Sequence, residues 1–390
     1  MDFTNLKMFM NHMAEERTPG NSIEVFLKGK RVFQYFAGYA DLENAIPLVG
    51  DEMYNIYSCS KITTVVAGVQ LLEQGKILLS DPLYEYMPEF RNMFVLSAEG
   101  NLTRANNYIT VGDLFSMTAG FTYNLEAPGF QKAREVTAGK MDTVRTIQCI
   151  ARDPLSFEPG THWQYSICHD VLAALISVVS GHKFRDYVKE NIFEPLEMKE
   201  SVYHQTPEVL EKMAQQYLFI QSNDENNGNV QGDERFKDGY FKNVGKAVKH
   251  ILGEEYDSGG AGIITTVSDY AKLMAALAGY GTGVNGERIL SPGSINLMRA
   301  NRLSDVQKED FNWKHLAGYG YGLGVRTHIS QVKSGMISNL GEFGWDGAAG
   351  ALSIVDPDIG LGVFYAQHTL NPRENYYQPR IRNVIYSCLK

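Results

Sequence analysis

The sequence lacks the features of a membrane-spanning, nucleic-acid-binding or exported protein. It contains no run of about 18 apolar residues, which is the length that a membrane-spanning helix needs. Its lysines and arginines are scattered and its net charge is −9, so binding to nucleic acid is not expected. The first twenty residues show no basic segment followed by an apolar one. We therefore expect no signal peptide and a cytoplasmic location.

Cysteine and metal-binding patterns are also scarce. The four cysteines are Cys59, Cys149, Cys168 and Cys388, and their spacing fits neither a zinc site nor a disulfide framework. We expect them to be free thiols. The chain contains neither the His-Glu-x-x-His pattern of zinc proteases nor the Gly-x-Ser-x-Gly elbow of α/β-hydrolases. The sequence thus predicts no metal and no cofactor.

What the sequence does contain is typical of a globular enzyme. Of its 390 residues, 44% are hydrophobic and 21% are charged. Strand-like patterns cluster near both ends, and helical patterns dominate between them. We predict an α/β (α+β) fold in which an antiparallel β-sheet, flanked by helices, is built from residues 1–80 and 255–390. Residues 81–254 are predicted to form an inserted, mainly helical domain.

Several individual elements can be predicted from hydrophobic periodicity and from the residues that begin or end helices and turns. The chain opens with a predicted helix over Phe3–Arg17 and a β-hairpin. A helix over residues 266–279 is predicted to be capped by Ser268, and a last helix is predicted over Pro379–Leu389. Between these two helices we expect three consecutive strands, in the segments YGYGLGVRTHI, GAAGALSIVD and GLGVFYAQH. The stretch from about Gln221 to Gly245, rich in Asn, Asp and Gly, predicts an exposed, mobile insertion.

The sharpest chemical motif is Ser58-Cys59-Ser60-Lys61, a Ser-x-x-Lys sequence at a predicted helix start. Residues three apart lie on one helix face, so the side chains of Ser58 and Lys61 are expected to meet. The positive end of the helix dipole and burial both disfavour a charged lysine. Lys61 is therefore expected to lose its proton readily and to help activate Ser58 as a nucleophile. A helix cap at Ser58 beside a solvated Lys61 would give the same pattern.

Two further segments carry candidate catalytic groups. Tyr165, in the sequence WQYS, can act as a general base toward a serine if cationic neighbours lower its pKa. A packed tyrosine in a turn is the alternative. Gly344–Gly350 is a glycine-rich strand entry, where small residues let a substrate approach the backbone. The backbone N–H groups of Ala348 and Ser58 are candidate oxyanion-hole donors, although packing alone would also explain the glycines.

Taken together, these motifs resemble the serine β-lactamase and penicillin-binding-protein superfamily, and within it class C β-lactamases and family VIII carboxylesterases. The resemblance extends over nearly the whole chain, through segments that include GKILLSDPL, ITVGDLFSMTAGF, FEPGTHWQYS and SGGAGIITTVSDYAKL. It implies that Ser58 is the acylated nucleophile and that Lys61 orients and helps to deprotonate it. It implies that Tyr165 acts first as base and then as acid. It also implies that Trp345–Ala348 forms a wall of the site and supplies the second oxyanion donor.

Two departures from the resemblance bear on the substrate. Ile167 stands where β-lactamases usually carry the Asn of Tyr-x-Asn, and Trp345-Asp346-Gly347 replaces Lys-Thr-Gly. The cation that would pair with a β-lactam carboxylate is missing, and Asp346 would repel that carboxylate. We hypothesise that Asp346 favours a substrate with an amine or several hydroxyls. The predicted substrate-binding residues are Trp345, Asp346, Gly347, Ile167 and Tyr123.

These features predict a serine hydrolase that forms an acyl-enzyme on Ser58. Its predicted partner is a small-molecule ester or amide, with a carboxylic ester preferred. A β-lactamase, a D-amino-acid peptidase or amidase, and a transacylase are alternatives within the same mechanism. A protein that keeps the fold and binds a ligand without turnover is the non-enzymatic alternative.

Overall fold

The computed structural model describes residues 1–221, 239–247 and 251–389. Its helices are α1 Thr4–Glu16, α2 Ser60–Glu73, α3 Val111–Ser116, α4 Pro128–Val136, α5 Thr143–Ile150, α6 Cys168–Ser180, α7 Phe184–Val188, α8 Pro207–Lys212, α9 Val267–Ala278, α10 Pro292–Arg299, α11 Asp305–Asp310, α12 Gln331–Ser334 and α13 Glu374–Cys388. Its strands are β1 Gly20–Leu27, β2 Lys30–Asp41, β3 Ile46–Pro47, β4 Met53–Asn55, β5 Phe94–Leu96, β6 Leu102–Arg104, β7 Gln216–Gln221, β8 Gly239–Gly245, β9 Ile264–Thr266, β10 Tyr319–Tyr321, β11 Arg326–His328, β12 Phe343–Gly344, β13 Leu352–Asp356, β14 Leu361–Gln367 and β15 Thr369–Leu370.

The largest sheet joins the two ends of the chain. Its eight strands lie in the order β10-β11-β12-β13-β14-β1-β2-β3, and every neighbouring pair is antiparallel. In the middle, β1 pairs with β14, so that Asn21 lies opposite Gln367 and Leu27 lies opposite Leu361. The predicted α/β fold with an antiparallel sheet built from both ends is confirmed.

Both faces of this sheet are buried. Successive side chains of a strand point to opposite faces, and β1 uses each face for a different core. Ile23 and Val25 pack in a cluster with apolar residues of α1 and α13. Phe26 belongs to the larger core, which also contains α2 and α9. The sheet therefore lies between a pair of terminal helices and the helices that carry the site.

Helix α2 runs through this larger core. Every residue from Ser60 to Leu71 is buried, which is the pattern of a helix covered on all sides. It packs against α6 and α7. Because its surroundings fix α2 along its length, the turn at its N-terminal end is held rigidly.

The cap of α9 differs from the prediction. Thr266, not Ser268, is the N-cap, since its hydroxyl accepts a hydrogen bond from the backbone N–H of Asp269 at 3.1 Å. Ser268 lies inside the helix and donates instead to the buried carboxylate of Glu24 at 2.7 Å. Ser and Thr have similar capping preferences, so the sequence alone did not distinguish the two positions.

Two other predicted elements also change. The segment YGYGLGVRTHI forms two short paired strands, β10 and β11, instead of one. The last helix begins at Glu374, and Pro379 lies inside it. Proline there removes the bond that residue 379 would donate to the carbonyl of Asn375, and Asn375 is exposed, so water can reach that carbonyl.

The predicted insertion from Gln221 to Gly245 is only partly visible. Residues 239–245 form β8, which pairs with β7 in a small sheet that also contains β15; residues 222–238 lie outside the described residues. The division into residues 1–80 with 255–390 and residues 81–254 stays a prediction. All four cysteines are unpaired, as expected. In the part of the chain that the structure describes, no helix is both long and apolar enough to cross a bilayer.

Candidate active site

Ser58 lies in a 3₁₀ turn immediately before α2. The preceding residue, Tyr57, has φ +45°, a left-handed conformation that is uncommon for a residue with a Cβ. The Tyr57 hydroxyl donates to the side-chain oxygen of Gln216, and Ser60 Oγ accepts a backbone hydrogen bond at 3.1 Å from the loop before β9. Strained backbone of this kind persists where its surroundings hold it, often at functional sites. Here it leaves the side chain of Ser58 partly exposed.

Lys61 is completely buried against Ser58. Its Nζ lies 3.3 Å from Ser58 Oγ, 3.4 Å from the Tyr123 hydroxyl and 2.8 Å from the carbonyl oxygen of Gly260. A neutral amine has two N–H groups and one lone pair, so it can satisfy all three partners. Burial lowers the pKa of Lys61 to about 8, although the nearby carboxylate of Asp170 acts in the opposite direction. Near neutral pH, a neutral fraction of Lys61 is therefore available to accept a proton.

Tyr165 contacts Ser58 from another side. Its hydroxyl donates to Ser58 Oγ at 2.6 Å and accepts from Trp345 Nε1 at 3.4 Å. Lys61 Nζ lies 4.6 Å from the centre of the Tyr165 ring. The sequence argument required a lowered pKa, but burial raises the pKa of Tyr165, and its hydrogen bonds with Ser58 and Trp345 offset burial only in part. Tyr165 therefore keeps its proton at neutral pH.

Asp170 is a buried carboxylate behind Lys61 that no sequence motif identified. Its Oδ1 accepts hydrogen bonds from Ser258 at 2.8 Å and from Tyr256 at 3.1 Å. A Cβ built on Gly260 would lie 2.6 Å from Asp170 Oδ2 and 3.3 Å from Lys61 Nζ. Because position 260 is glycine, the carboxylate and the amine share one small buried space.

The third motif, Trp345–Ala348, pairs with the start of β13 and then turns: Asp346 forms an antiparallel bridge with Leu352, and the N–H of Ser353 donates to the Trp345 carbonyl at 2.9 Å. It follows β12, and β13 begins only at Leu352. Within the turn, the N–H of Gly347 donates to the carbonyl of Ala351 at 2.9 Å. The backbone here is therefore set by a tight loop between two short stretches of sheet.

This turn packs against the residues on either side of Ser58. A Cβ at Gly347 would lie 2.3 Å from the carbonyl oxygen of Ile56, so the close approach of the two backbones requires glycine. Cys59 Sγ also lies 3.6 Å from the carbonyl oxygen of Trp345. Ala348 is exposed and, with Ser58, borders the same cavity. The position of Ala348 is compatible with its predicted role as an oxyanion donor.

A cavity of about 530 Å³ opens in front of Ser58. Segments that are distant in the sequence line it: Ser58, Tyr165, Trp313, Lys314, His315, Trp345, Asp346, Gly347, Ala348, Asn371, Pro372, Glu374 and Asn375. The predicted residues of the third motif are thus all on this cavity. Among the residues that the structure describes, no group of three His, Cys, Asp or Glu side chains is arranged to hold a metal.

Two residues predicted to bind substrate lie elsewhere. Tyr123 stacks on Tyr165 with ring centroids 5.6 Å apart, and its hydroxyl accepts from Lys61. Ile167 is 4% exposed and is the N-cap residue of α6. The structure places Tyr123 in the surroundings of the lysine and Ile167 in the core. Their contacts with a substrate stay predictions.

Sequence reasoning missed the wall that contains Trp313, His315 and Glu374. The available signal was composition, since the chain has only three tryptophans and all three meet here. The ring of Trp313 lies 5.6 Å from that of Trp163 and 6.0 Å from that of Trp345. No local pattern pointed to His315 or Glu374.

Known proteins are similar to this chain in sequence and in fold. The beta-lactamase family model matches residues 7–385. Protein Rv1367c of Mycobacterium tuberculosis is 28% identical over 339 residues, which cover 84% of this chain and 80% of that protein. Esterase EstB of Burkholderia gladioli is 24% identical over 381 residues, which cover 93% of this chain and 89% of the esterase.

A solved structure agrees with these matches. EstCE1, described as a hydrolase with promiscuous acyltransferase activity, has a TM-score of 0.76 and 22% identity to this chain. The alignment covers 98% of this chain and 99% of EstCE1, so the fold is shared. The resemblance expected from the motifs is confirmed. Since the family match extends over nearly the whole length, this chain belongs to the beta-lactamase family of serine hydrolases.

Proposed function

We propose that this protein is an esterase that hydrolyses small carboxylic esters through an acyl-enzyme on Ser58. The observation that carries the proposal is the contact of Ser58 Oγ with Tyr165 Oη at 2.6 Å and with Lys61 Nζ at 3.3 Å, beside an open cavity. A serine held between an amine and a phenol is arranged for attack and for proton transfer. The similarity to a named esterase supports the same reaction class.

Acylation begins when Ser58 Oγ attacks the ester carbonyl carbon and its proton passes to the neutral amine of Lys61. The carbonyl oxygen becomes an oxyanion, which the N–H groups of Ser58 and Ala348 stabilise. The bond to the leaving alcohol then breaks. The alcohol takes a proton from Tyr165, and Tyr165 recovers one from Lys61. In the second half, water attacks the acyl group and gives one proton to Lys61. The bond to Ser58 Oγ then breaks, and Ser58 takes that proton from Lys61.

This division of roles differs from the one that the resemblance implies. The resemblance makes Tyr165 the first base, but burial raises its pKa, whereas burial lowers the pKa of Lys61 to about 8. The group whose pKa lies nearer neutrality is the better general base. Lys61 therefore takes the first proton, and Tyr165 serves as a donor to the leaving group.

The charge of the cavity favours esters over β-lactams. Asp346 and Glu374 both line it, and a β-lactam carries a carboxylate that both would repel. Of the described residues on this lining, Lys314 is the one lysine or arginine, and it is exposed. A β-lactam carboxylate therefore finds no buried cation on this lining.

Acyl transfer is the second candidate function. The cavity of about 530 Å³ is large enough for an acyl group and a small alcohol together, and an alcohol can replace water in the second half-reaction. EstCE1, which shares the fold, is described as having promiscuous acyltransferase activity. Adding methanol to an ester assay and measuring the methyl ester formed would detect this reaction.

The test is hydrolysis of p-nitrophenyl acetate by the wild-type protein and by Ser58→Ala, with a chromogenic cephalosporin in parallel. We expect turnover of the ester, a loss of at least about a thousandfold in Ser58→Ala, and a much lower rate on the cephalosporin. Ser387→Ala, which changes an exposed serine, is the matched control. Ester turnover that is equal in Ser58→Ala and wild type would refute the mechanism. Covalent labelling of Ser58 without turnover would instead support a binding protein.

A further inference from the structure

One wall of the cavity combines carboxylates with indole rings. Asp346 and Glu374 line the cavity together with Trp313 and Trp345. The rings of Trp313 and Trp345 lie 6.0 Å apart, and Trp313 is stacked on His315 with an angle of 12° between the rings. Trp345 is only 1% exposed, so this surface offers negative charge together with the partly exposed indole of Trp313.

The polar atoms of this wall are incompletely paired. Asp346 Oδ2 lies 3.8 Å from His315 Nε2, which is too long for a hydrogen bond. Among the described residues, neither His315 Nε2 nor Asp346 Oδ1 has a hydrogen-bond partner. The side chain of His315 is only 9% exposed, and that of Asp346 is 17% exposed. The pair therefore keeps hydrogen-bonding capacity that no described residue uses.

His315 does not neutralise the two carboxylates. Burial lowers the pKa of His315, and this effect outweighs the attraction of Asp346 and Glu374; the buried guanidinium groups of Arg382 and Arg326 lower the pKa further. The imidazole is therefore uncharged at neutral pH. The wall carries two acidic side chains with no protonated histidine between them.

The arginines behind the wall weaken its negative potential, but they do not contact a substrate. Arg326 is paired with Glu342 at 3.0 Å, and Arg382 donates to Gln378 at 3.2 Å. Both guanidinium groups are completely buried, so no substrate can contact them. Asp346, by contrast, is partly exposed on the cavity. Asp346 and Glu374 outnumber the one lysine of the described lining, the exposed Lys314, so the surface presented to a substrate is acidic on balance.

We infer that this wall is a subsite for a cationic group, so that preferred substrates are esters that carry an ammonium group and no carboxylate. The inference rests on the proposed esterase function. An ammonium group gains Coulomb attraction from Asp346 and Glu374 and a favourable contact with the ring of Trp313. A carboxylate at the same place is repelled by the acids and gains nothing from the rings.

Matched thioesters test the inference. Acetylthiocholine carries a quaternary ammonium group, and dimethylbutyl thioacetate is its uncharged isostere. We expect kcat/KM for the cationic ester to exceed that for the isostere by about tenfold in the wild type. Asp346→Asn is expected to reduce this ratio by about tenfold, and Glu374→Gln by about threefold. Glu208→Gln, at an exposed position on α8, is the matched control and should keep the wild-type ratio.

A binding assay separates this inference from the proposed catalysis. Choline binding to Ser58→Ala is followed by tryptophan fluorescence, because Trp313 and Trp345 line the wall. Weaker choline binding after Asp346→Asn or Glu374→Gln supports the subsite even if no ester is hydrolysed. If choline binding and the thioester ratio are the same in both variants as in their parents, the inference is overturned. The acids would then serve only to balance the buried arginines.

Discussion

Two completely buried cations, Lys61 and Arg326, lie in opposite electrostatic settings. Arg326 has a fixed partner, since it pairs with Glu342 at 3.0 Å and donates to the Ser353 carbonyl at 2.9 Å. Lys61 has no carboxylate within 4.0 Å among the described residues, and burial lowers its pKa to about 8. A buried cation with a fixed counter-ion serves the structure. Lys61, whose pKa burial lowers, holds a proton that can move.

The largest expected effect comes from removing the amine of Lys61. Lys61→Met should reduce kcat/KM on p-nitrophenyl acetate by at least about a thousandfold, because the first proton acceptor is lost. Its melting temperature should not fall markedly, since an apolar side chain of similar length avoids the cost of burying an ammonium group. Steady-state kinetics and calorimetry measure the two quantities. A variant that kept more than a tenth of wild-type activity would contradict the role of Lys61.

For Arg326, removing the counter-ion should lower the stability of the fold. Glu342→Gln leaves the buried guanidinium of Arg326 without its counter-ion and should lower the free energy of unfolding by about 3 kcal/mol. Urea denaturation at neutral pH measures this loss. As a control, Glu208→Gln on the surface should change the value by less than about 0.5 kcal/mol. An unchanged stability in Glu342→Gln would mean that the Ser353 carbonyl alone satisfies Arg326. Glu342 would then not be the partner that distinguishes Arg326 from Lys61.

A smaller effect is expected on the pH profile. The proposed mechanism requires neutral Lys61, so kcat/KM should rise as the pH passes through about 8. The Asp170 carboxylate raises the pKa of Lys61, so Asp170→Asn should move the midpoint of the profile to lower pH. The control is Ser258→Ala, which removes a hydrogen bond to Asp170 but keeps its charge. A midpoint that stayed in place in Asp170→Asn would exclude Asp170 from setting the proton affinity of Lys61.

The sequence predicted what depends on local spacing. The contact of Ser58 with Lys61 follows from two residues three positions apart at a helix start, and the first β-hairpin follows from its alternating pattern. Burial of α2 from Ser60 to Leu71 lowers the pKa of Lys61, in the direction that the sequence argument expected. The resemblance supplied the family and the place of Tyr165.

What the sequence did not predict depends on the fold as a whole. Trp313, His315 and Glu374 come from loops that only tertiary structure brings to Ser58. The raised pKa of Tyr165 depends on how deeply the folded chain buries the ring. The same is true of Asp170, which lies on α6 and meets Lys61 only because position 260 has no side chain.

The pairing of β1 with β14 at the centre of the large sheet also orders the events of synthesis. The hairpin of β1 and β2 and the nucleophile of α2 leave the ribosome early, but β13, β14 and the turn at Trp345–Ala348 leave it late. Until they do, one edge of β1 is unpaired and can join other chains. A chain that stops after α9 therefore holds a nucleophile without an oxyanion wall, and an open strand edge that makes it prone to aggregate. The proposed chemistry at Ser58 therefore becomes available only after β13 and β14 have been synthesised and paired.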